Sequence, residues 1–516
     1  MQKTDLFTAL IISSLLLCGC TGISEADHQT ITLPPDQSSN SVNTSDSDIS
    51  SAENDLPETD IAPAKTKITD PPITVSSAAS AETLPSTLLS VPETEKYTDT
   101  ADTADTFPDN FSVITMFPLP TQADTVRDVN ISAETVPTES EGSVFSPAPQ
   151  ESYYPPVNYN TLNYNIQHAV WISYLEYESV MRNRTEEEFT DSIRTMFGNL
   201  LEIGVNTVYF QVRAFGDAYY RSDFFPKGDR LTGNYDPLET AVKAAHDCGL
   251  SIHAWINPMR LMTDEQMKAL PENNILSVMY RDNDKGYMFE SGGRWYLDPS
   301  NPDSVDLICA GISELLSRYK TDGIQIDDYF YPDTDSSLGY AAYISSGTSL
   351  SQADWRRETV DNMVLKMNSA VHNTNPSAVF GISPSGNTEV NYSELYADTV
   401  KWCGDTSYCD YICPQLYYGF EHETSPFVRT AEEWMTFCSD SGVKLVIGLA
   451  AYKTGTRDNW AGSGADEWRG NDNIILKQIE FCAANSLGTA LFRYDSLFNS
   501  PETADELEDI KEYYKE

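Results

Sequence analysis

The sequence has few basic residues. Of its 516 residues, 33 are Lys or Arg and 78 are Asp or Glu, which gives a formal net charge of −45 at pH 7. No stretch rich in Lys or Arg occurs anywhere in the chain. Because binding to nucleic-acid phosphates requires a basic face, nucleic acid is not predicted as a partner.

The sequence motifs of several common catalytic and metal centres are also missing. The chain has no Gly-x-Ser-x-Gly elbow, no His-Glu-x-x-His pair and no Gly-Lys-Ser/Thr phosphate loop. Seven cysteines lie beyond residue 20, and none has the C-x-x-C spacing of a metal site. We therefore predict no metal and no cofactor. Cys403 and Cys409, which flank a polar turn, are the one pair considered for a local disulfide.

The amino terminus has an apolar run from Leu6 to Leu17 behind Lys3, which is too short to span a bilayer but typical of a secretory signal. The following Gly19 and Cys20 resemble a lipobox, in which the signal is cut before a Cys that receives lipid. We predict a lipoprotein signal peptide at residues 1–20. The mature protein is then extracytoplasmic, anchored through Cys20 to the membrane of a bacterium and exposed to the cell envelope. A plain signal peptide and a membrane-anchoring helix are the disfavoured alternatives.

Residues 21–159 are dominated by Ser, Thr, Pro, Asp and Glu. Such a composition buries too little apolar surface to offset chain entropy. We predict a disordered acidic linker that holds the folded region away from the membrane.

Residues 160–516 contain eight β-rich apolar runs that alternate with segments of helical period. This pattern predicts a single (β/α)₈ TIM barrel. An open doubly wound sheet is disfavoured, because no glycine-rich phosphate turn follows the first run. The runs are 169–173, 205–213, 251–257, 323–328, 378–383, 410–417, 444–450 and 488–495.

The fourth run reads "GIQIDDYFYP" and ends in two adjacent carboxylates. Successive side chains of a barrel strand point alternately to the helices and to the axis. If Ile324 and Ile326 face the helices, Gln325 and Asp327 face the axis. Asp327 then lies at the C-terminal mouth, where barrel enzymes keep their catalytic groups.

The same alternation predicts polar side chains on the axis in other strands. The second run is expected to place Val208, Phe210 and Val212 outward, and the eighth to place Ala490 and Phe492 outward. The residues then expected to face the axis are Tyr209, Gln211, Arg213, His253, Trp255, Asn257, Ser383, Ser385, Gln415, Tyr417, Arg493 and Asp495. Aromatic residues near the strand ends, Tyr329 among them, suit the faces of sugar rings.

For two candidate site residues, Asp328 and His253, a purely structural role explains the sequence as well as a functional role does. Asp328 turns away from the axis by alternation, and pairing with an arginine explains it as well as catalysis does. His253 is as readily a satisfied core histidine as a ligand-binding residue.

Seven segments together resemble a family of bacterial lipoproteins, the glycosyl hydrolase-like 10 family. They are "QVRAFGDAYYRSDFFP", "LTGNYDPLETAVKAAHDCGLSIHAWINPMR", "RWYLDPSNPDSVDLI", "DGIQIDDYFYP", "DWRRETV", "FGISPSG" and "YICPQLYYG", in the expected order between His168 and Asp495. The resemblance implies a TIM barrel that hydrolyses glycosidic bonds, with peptidoglycan strands lacking stem peptides as substrate. Residues in the family's motif segments are Arg213, Asp217, His253, Asn257, Asp327, Asp328, Gln415 and Tyr417.

We therefore predict a glycoside hydrolase that acts on cell-wall glycan through paired carboxylates. Asp327 is predicted as nucleophile or base, with Asp328, Asp217 or Glu421 as the partner acid. The stretch 419–423, which contains Glu421, is less uniform in this family than the other motif segments. The predicted substrate-binding residues are Arg213, His253, Trp255, Asn257, Tyr329, Gln415, Tyr417 and Arg493. The alternatives are a non-catalytic glycan-binding barrel at the cell surface and a hydrolase of another polysaccharide.

The lipobox gives a direct prediction. A clickable palmitate analogue supplied to cells should label the wild-type protein, and Cys20→Ala should lose the label because the acceptor thiol is gone. Labelling that persists in Cys20→Ala contradicts the lipoprotein assignment.

Overall fold

A computed structural model describes residues 156–157, 159–470 and 473–515. The predicted signal peptide, Cys20 and residues 21–155 of the predicted linker lie outside the described residues. Contacts with the folded region begin at Val157, whose amide N–H donates to the carbonyl oxygen of Thr374 at 2.8 Å.

Eleven strands occur in the described part of the chain. They are β1 (His168–Ile172), β2 (Thr207–Arg213), β3 (Ser251–Ile256), β4 (Arg260–Thr263), β5 (Met288–Ser291), β6 (Arg294–Leu297), β7 (Gly323–Ile326), β8 (Val379–Ile382), β9 (Tyr411–Ile412), β10 (Lys444–Leu449) and β11 (Gly488–Leu491).

Eight of these strands are parallel and close into a barrel in the order β1-β11-β10-β9-β8-β7-β3-β2, with β2 paired back to β1. Each coincides with one of the eight predicted runs, so the TIM-barrel prediction is confirmed. The sixth run is shorter than predicted, because β9 ends at Ile412, two residues ahead of Pro414. Proline has no N–H for the ladder, and pairing resumes only as isolated bridges at Gln415.

The helices that follow the barrel strands form the outer layer. Their bounds are α1 (Tyr177–Val180), α2 (Glu186–Glu202), α3 (Pro237–Asp247), α4 (Asp264–Ala269), α5 (Ile275–Arg281), α6 (Pro302–Arg318), α7 (Tyr340–Ser346), α8 (Gln352–Thr374), α9 (Thr388–Ser393), α10 (Thr399–Cys403), α11 (Phe427–Cys438), α12 (Glu467–Gly470), α13 (Ile474–Ala484), α14 (Tyr494–Phe498) and α15 (Ala504–Tyr513). Among the described residues, no helix is long and apolar enough to cross a bilayer.

Helix α2 shows how local sequence sets these elements. Thr185 and Glu188 form a reciprocal capping box at its start. Phe189, Ile193 and Phe197 repeat at helical spacing and are buried against the sheet. The same outer core contains the residues of β2, β3, β7 and β8 that alternation turns toward the helices.

The chain between β3 and α6 adds a small antiparallel sheet. Its strand order is β4-β6-β5, with Arg260 opposite Tyr296 and Glu290 opposite Trp295. Because this insertion follows the carboxyl end of β3, it contributes side chains to the mouth of the barrel.

The barrel interior holds a second apolar cluster. Trp171, Tyr209, Trp255, Tyr411 and Tyr417 pack there, as the alternation predicts for the second, third and sixth runs. Ile324 and Ile326 lie in the outer core, which leaves Gln325 and Asp327 on the axis.

The predicted orientation of the eighth strand is wrong. Ala490 and Phe492 belong to the interior cluster, and Ala490 pairs in register with Ala169 of β1. The centre of a barrel is a packed core, so polarity does not mark the axis in this strand. Arg493 instead pairs with Glu176, and with Asp495 at 3.6 Å.

The alternation also predicts the wrong direction for the side chain of Arg213. A register irregularity between Gln211 and Arg213 sets Arg213 opposite Ile256, whose side chain packs in the outer core. The guanidinium lies over the ring of Phe225 at 4.2 Å, and it is so close to Gly311 of α6 that a Cβ there would clash with it. Arg213 therefore points to the helical layer.

The amino-terminal end of the barrel is closed by residues 159–163. Asp322, directly before β7, accepts hydrogen bonds from the Leu162 amide at 2.7 Å, the Ile252 amide at 2.9 Å and the Tyr159 hydroxyl at 3.2 Å. The fully buried carboxylate thus joins this segment to two barrel strands.

The seven cysteines in the described region are free thiols. Cys403 and Cys409 are not bonded to each other. The local disulfide considered from the sequence is therefore absent.

The role of Asp322 predicts a stability effect. Asp322→Ala should lower the free energy of unfolding by about 2–4 kcal/mol, because buried donors lose their acceptor. Urea unfolding of the full chain at pH 7 measures this loss. Asp284→Ala, in an exposed turn, is the matched control and should change it by less than about 0.5 kcal/mol. Equal stability of the two variants would contradict the role of Asp322.

Candidate active site

Asp327 lies at the carboxyl end of β7 and is 4% exposed. Its Oδ2 accepts a hydrogen bond from Trp255 Nε1 at 3.1 Å. Its Oδ1 is buried, and in the described part of the chain no side chain donates to it. A buried carboxyl oxygen left open on the barrel axis is the place where a ligand can provide the missing partner.

Burial raises the pKa of Asp327 well above its usual value, and the negative charge of neighbouring Asp328 raises it further. Arg260 and the hydrogen bond from Trp255 act in the opposite direction but are weaker. The carboxyl group of Asp327 therefore holds its proton more tightly than an ordinary aspartate.

Two further hydrogen bonds join polar side chains that face the barrel axis. Trp171 Nε1 donates to Gln325 Oε1 at 3.0 Å, and Gln211 Nε2 donates to Asn257 Oδ1 at 3.2 Å. Gln325 Nε2 and Asn257 Nδ2 are buried without a hydrogen-bond partner in the described region. Two amide donors and one carboxyl oxygen near the axis can thus bind a polar ligand.

Arg260 joins the site from the insertion. Its guanidinium lies 4.2 Å from the ring centroid of Tyr329 and 4.5 Å from that of Phe215. Sequence reasoning missed Arg260, because β4 begins where the alternation of β3 has already ended. Its position three residues after Asn257, beyond the carboxyl end of a barrel strand, was the available signal.

The sixth and fifth strands complete one wall. Gln415 Nε2 donates to the carbonyl oxygen of Ser383 at 3.1 Å. The ring of Tyr417 is buried, and its centroid lies 5.8 Å from that of Tyr452 and 5.9 Å from that of Phe492. Trp255, Asn257, Tyr329, Gln415 and Tyr417 therefore lie at the mouth, as the sequence predicts, and their roles in binding stay predictions.

Other predicted site residues lie elsewhere. His253 is fully buried near the closed end, where its ring nitrogens meet Tyr411 at 2.8 Å and Asn163 at 3.2 Å. Burial lowers the pKa of His253 to about 4, so it is neutral at pH 7. This environment is that of a satisfied core histidine. Arg213, described above, also points away from the axis, and Arg493 is engaged by Glu176 and Asp495.

The two other candidate partner acids, Asp217 and Glu421, have local hydrogen bonds of their own, and their role in catalysis stays a prediction. Asp217 Oδ1 accepts the backbone amides of Ala214 at 3.1 Å and Phe215 at 2.9 Å, which closes the turn after β2. Glu421 has an exposed side chain, and its amide donates to Glu467 Oε2 at 3.0 Å. Of the three predicted partners, Asp328 is the one whose charge is felt by Asp327.

Glu176 is a buried carboxylate that sequence reasoning missed. It accepts the amide of Ser173 at 2.9 Å and the Ser173 hydroxyl at 2.6 Å, and it pairs with Arg493. The Ser-x-x-Glu spacing directly after the first strand was the signal. Because its oxygens are fully engaged, Glu176 stabilises the junction between β1 and β11.

No group of three or more His, Cys, Asp or Glu side chains within the described ranges converges as metal ligands.

The sequence matches the family described as Glycosyl hydrolase-like 10 over residues 167–462. The chain belongs to this family. The matched region contains Asp327, Trp255 and the loops after β7, β8 and β9. The resemblance drawn from the sequence motifs is therefore confirmed.

The chain is also similar to named proteins and to a solved structure. The chain is 32% identical over 342 residues to Glycosyl hydrolase DigH of Escherichia coli K12, covering 59% of this chain and 75% of that protein. It is 30% identical over 316 residues to Glycosyl hydrolase YngK of Bacillus subtilis 168, covering 55% and 60%. The glycoside hydrolase domain of PgaB (BpsB) from Bordetella bronchiseptica aligns with a TM-score of 0.47 and 14% identity, covering 67% of this chain and 99% of that domain.

The protonation of Asp327 gives a prediction that is independent of substrate. An unfolded aspartate ionises near pH 4. Because the pKa of Asp327 is raised in the folded state, this residue lowers stability progressively as pH rises above that point. Asp327→Asn should therefore unfold at a higher temperature than wild type, with a gap that widens from pH 4 upward. A loss of stability that is independent of pH would identify Asp327 as a purely structural carboxylate.

Proposed function

We propose that this protein hydrolyses glycosidic bonds in peptidoglycan-type glycan strands, with Asp327 as the group that transfers the proton. The observation that carries the proposal is the buried Asp327 carboxyl group on the axis, with one oxygen held by Trp255 and the other open. Membership of a glycoside hydrolase-like family supports the reaction class.

The raised pKa of Asp327 favours the role of general acid. The sequence-based expectation was a nucleophile or base, which requires the ionised form. In the proposed step, the carboxyl proton moves to the glycosidic oxygen as the bond to the anomeric carbon breaks. The departing sugar then leaves as a neutral alcohol.

Asp328 is the proposed second carboxylate. It is buried beside Asp327, and two adjacent carboxyl groups in such a site hold one negative charge more readily than two. The ionised member can stabilise positive charge that develops on the sugar ring and accept a proton from the attacking water.

Aromatic side chains around the axis support a sugar as the ligand. Trp255, Tyr329 and Tyr417 lie at the ends of three different strands or just beyond them. Their ring faces can contact the C–H faces of pyranose rings, while the open amides of Gln325 and Asn257 can bind hydroxyl groups.

The choice of cell-wall glycan follows the family resemblance and the predicted address. A lipid on Cys20 and an acidic linker would hold the barrel within the envelope of a bacterium, beside peptidoglycan. The proposed partners are thus glycan strands and, through the lipid, the membrane.

The central test compares wild type with Asp327→Asn on purified glycan strands, with and without stem peptides. Release of reducing ends should fall by about 10²–10⁴-fold or more in the variant, because Asn cannot donate the proton. Retention on immobilised glycan should persist. Asp284→Asn, in an exposed turn, should match wild type.

The same assay across pH separates the possible roles. If Asp327 acts as the acid, kcat/KM of the wild type falls on the alkaline side as the Asp327 carboxyl group loses its proton, at a pH above that at which an ordinary aspartate ionises. A rise of kcat/KM through that range would assign Asp327 the nucleophile or base role. Wild type that binds glycan but never releases reducing ends would favour the glycan-binding barrel.

A further inference from the structure

Trp460 differs from the other tryptophans of the chain. All eight lie in the described residues, and Trp460 alone is strongly exposed, at 43%. Its indole ring forms no aromatic contact with the described residues, and its Nε1 donates no hydrogen bond to them. A large apolar ring is usually buried, so the place where an exposed tryptophan lies on the fold can indicate a binding surface.

This residue lies in the loop that follows the carboxyl end of β10. All strands of the barrel run parallel, so this loop opens on the same face as Asp327. In the ring of strands, β10 is separated from β7 by β8 and β9. Trp460 is therefore on the mouth but on a different side from Asp327.

A buried ion pair fixes the backbone at this position. The amide of Trp460 donates to Asp458 Oδ1 at 3.1 Å, and Asp458 Oδ2 lies 2.5 Å from Lys453 Nζ. The side chains of Lys453 and Asp458 are both buried. Lys453 Nζ also donates to the carbonyl oxygen of Tyr417 at 2.7 Å, which connects the loop directly to the mouth wall.

The loop is also tied to its neighbour after β9. The amide of Glu423 donates to the carbonyl oxygen of Ala461 at 3.0 Å, and the amide of Ser463 donates to Glu423 Oε2 at 3.0 Å. Gly464 lies so close to the carbonyl oxygen of Glu421 that a Cβ would not fit. Trp460 is thus an exposed ring on a backbone held from two sides.

We propose that Trp460 is the platform of an outer sugar subsite, on which one pyranose ring of a glycan chain stacks away from the bond that is cleaved. The inference rests on the proposed function, because cleavage at Asp327 defines which part of the bound glycan is the outer part. The ligand class is a neutral or acidic oligosaccharide with an exposed C–H face, since an indole ring binds such faces without hydrogen bonds. Asp458 and Lys453 are positioning residues for this platform.

The platform should act only on long substrates. Trp460→Ala should raise KM by about 5- to 50-fold for long glycan chains, the loss expected when one aromatic face is no longer covered. For a short oligosaccharide that fills only the central site, KM should be unchanged, and kcat should be unchanged for both. Trp460→Phe should recover most of the affinity.

Leu201→Ala is the matched control. Leu201 is also 43% exposed, but it lies near the end of α2, the helix that leads into the amino-terminal end of β2. This variant should bind both substrates like wild type. Equal loss of affinity for short and long glycans in Trp460→Ala, or no loss for either, would overturn the proposal.

A binding measurement separates this inference from the proposed function. In the Asp327→Asn background, long glycan should shield tryptophan fluorescence from acrylamide, and the additional Trp460→Ala change should remove that shielding and weaken binding. If wild type shows no turnover but this difference persists, hydrolysis is rejected and the subsite stands. If turnover occurs and the difference is absent, the subsite is rejected and hydrolysis stands.

Discussion

Closure of the eight-stranded ring is the constraint on which the rest of the structure depends. The ring is closed because β1 pairs with both β11 and β2, so every strand is held in register by two neighbours. A shift of one residue would turn every side chain of a strand to the opposite face. The fixed pleat directs Trp255, Gln325 and Asp327 to the axis. Burial on that axis then sets the chemistry, because a carboxyl group removed from water resists ionisation.

The strands could be predicted from the sequence, because each is a short β-rich run set between helical periods. Side-chain direction was predictable where a strand is regular and its outer face meets helices. It failed at Arg213, where a register irregularity changes the pairing partner, and at Ala490 and Phe492, where apolar residues fill the interior. Both failures depend on neighbouring strands, which one strand's own pattern does not describe.

The candidate site was predictable in part for the same reason. Asp327 could be found because it follows directly on a regular barrel strand, but Arg260, Lys453 and Asp458 lie in segments beyond the ends of the barrel strands, where the alternation of those strands no longer applies. The sequence also does not show that Asp217 closes the turn after β2, because its hydrogen bonds from the backbone amides of Ala214 and Phe215 depend on the folded loop.

The mouth buries acidic groups in two different ways. Asp458 is buried beside Lys453, and this ion pair fixes its position. Because desolvation offsets much of the attraction between buried charges, the pair contributes mainly to the geometry of the loop. Asp327 forms no ion pair with the described residues and is held by the neutral indole of Trp255. A lysine in that place would lower its pKa and leave a charged carboxylate with no proton to give. Ion pairing thus supports the shape of the mouth, whereas burial without a cation in direct contact supports reactivity, and an acid in the role proposed for Asp327 requires the second arrangement.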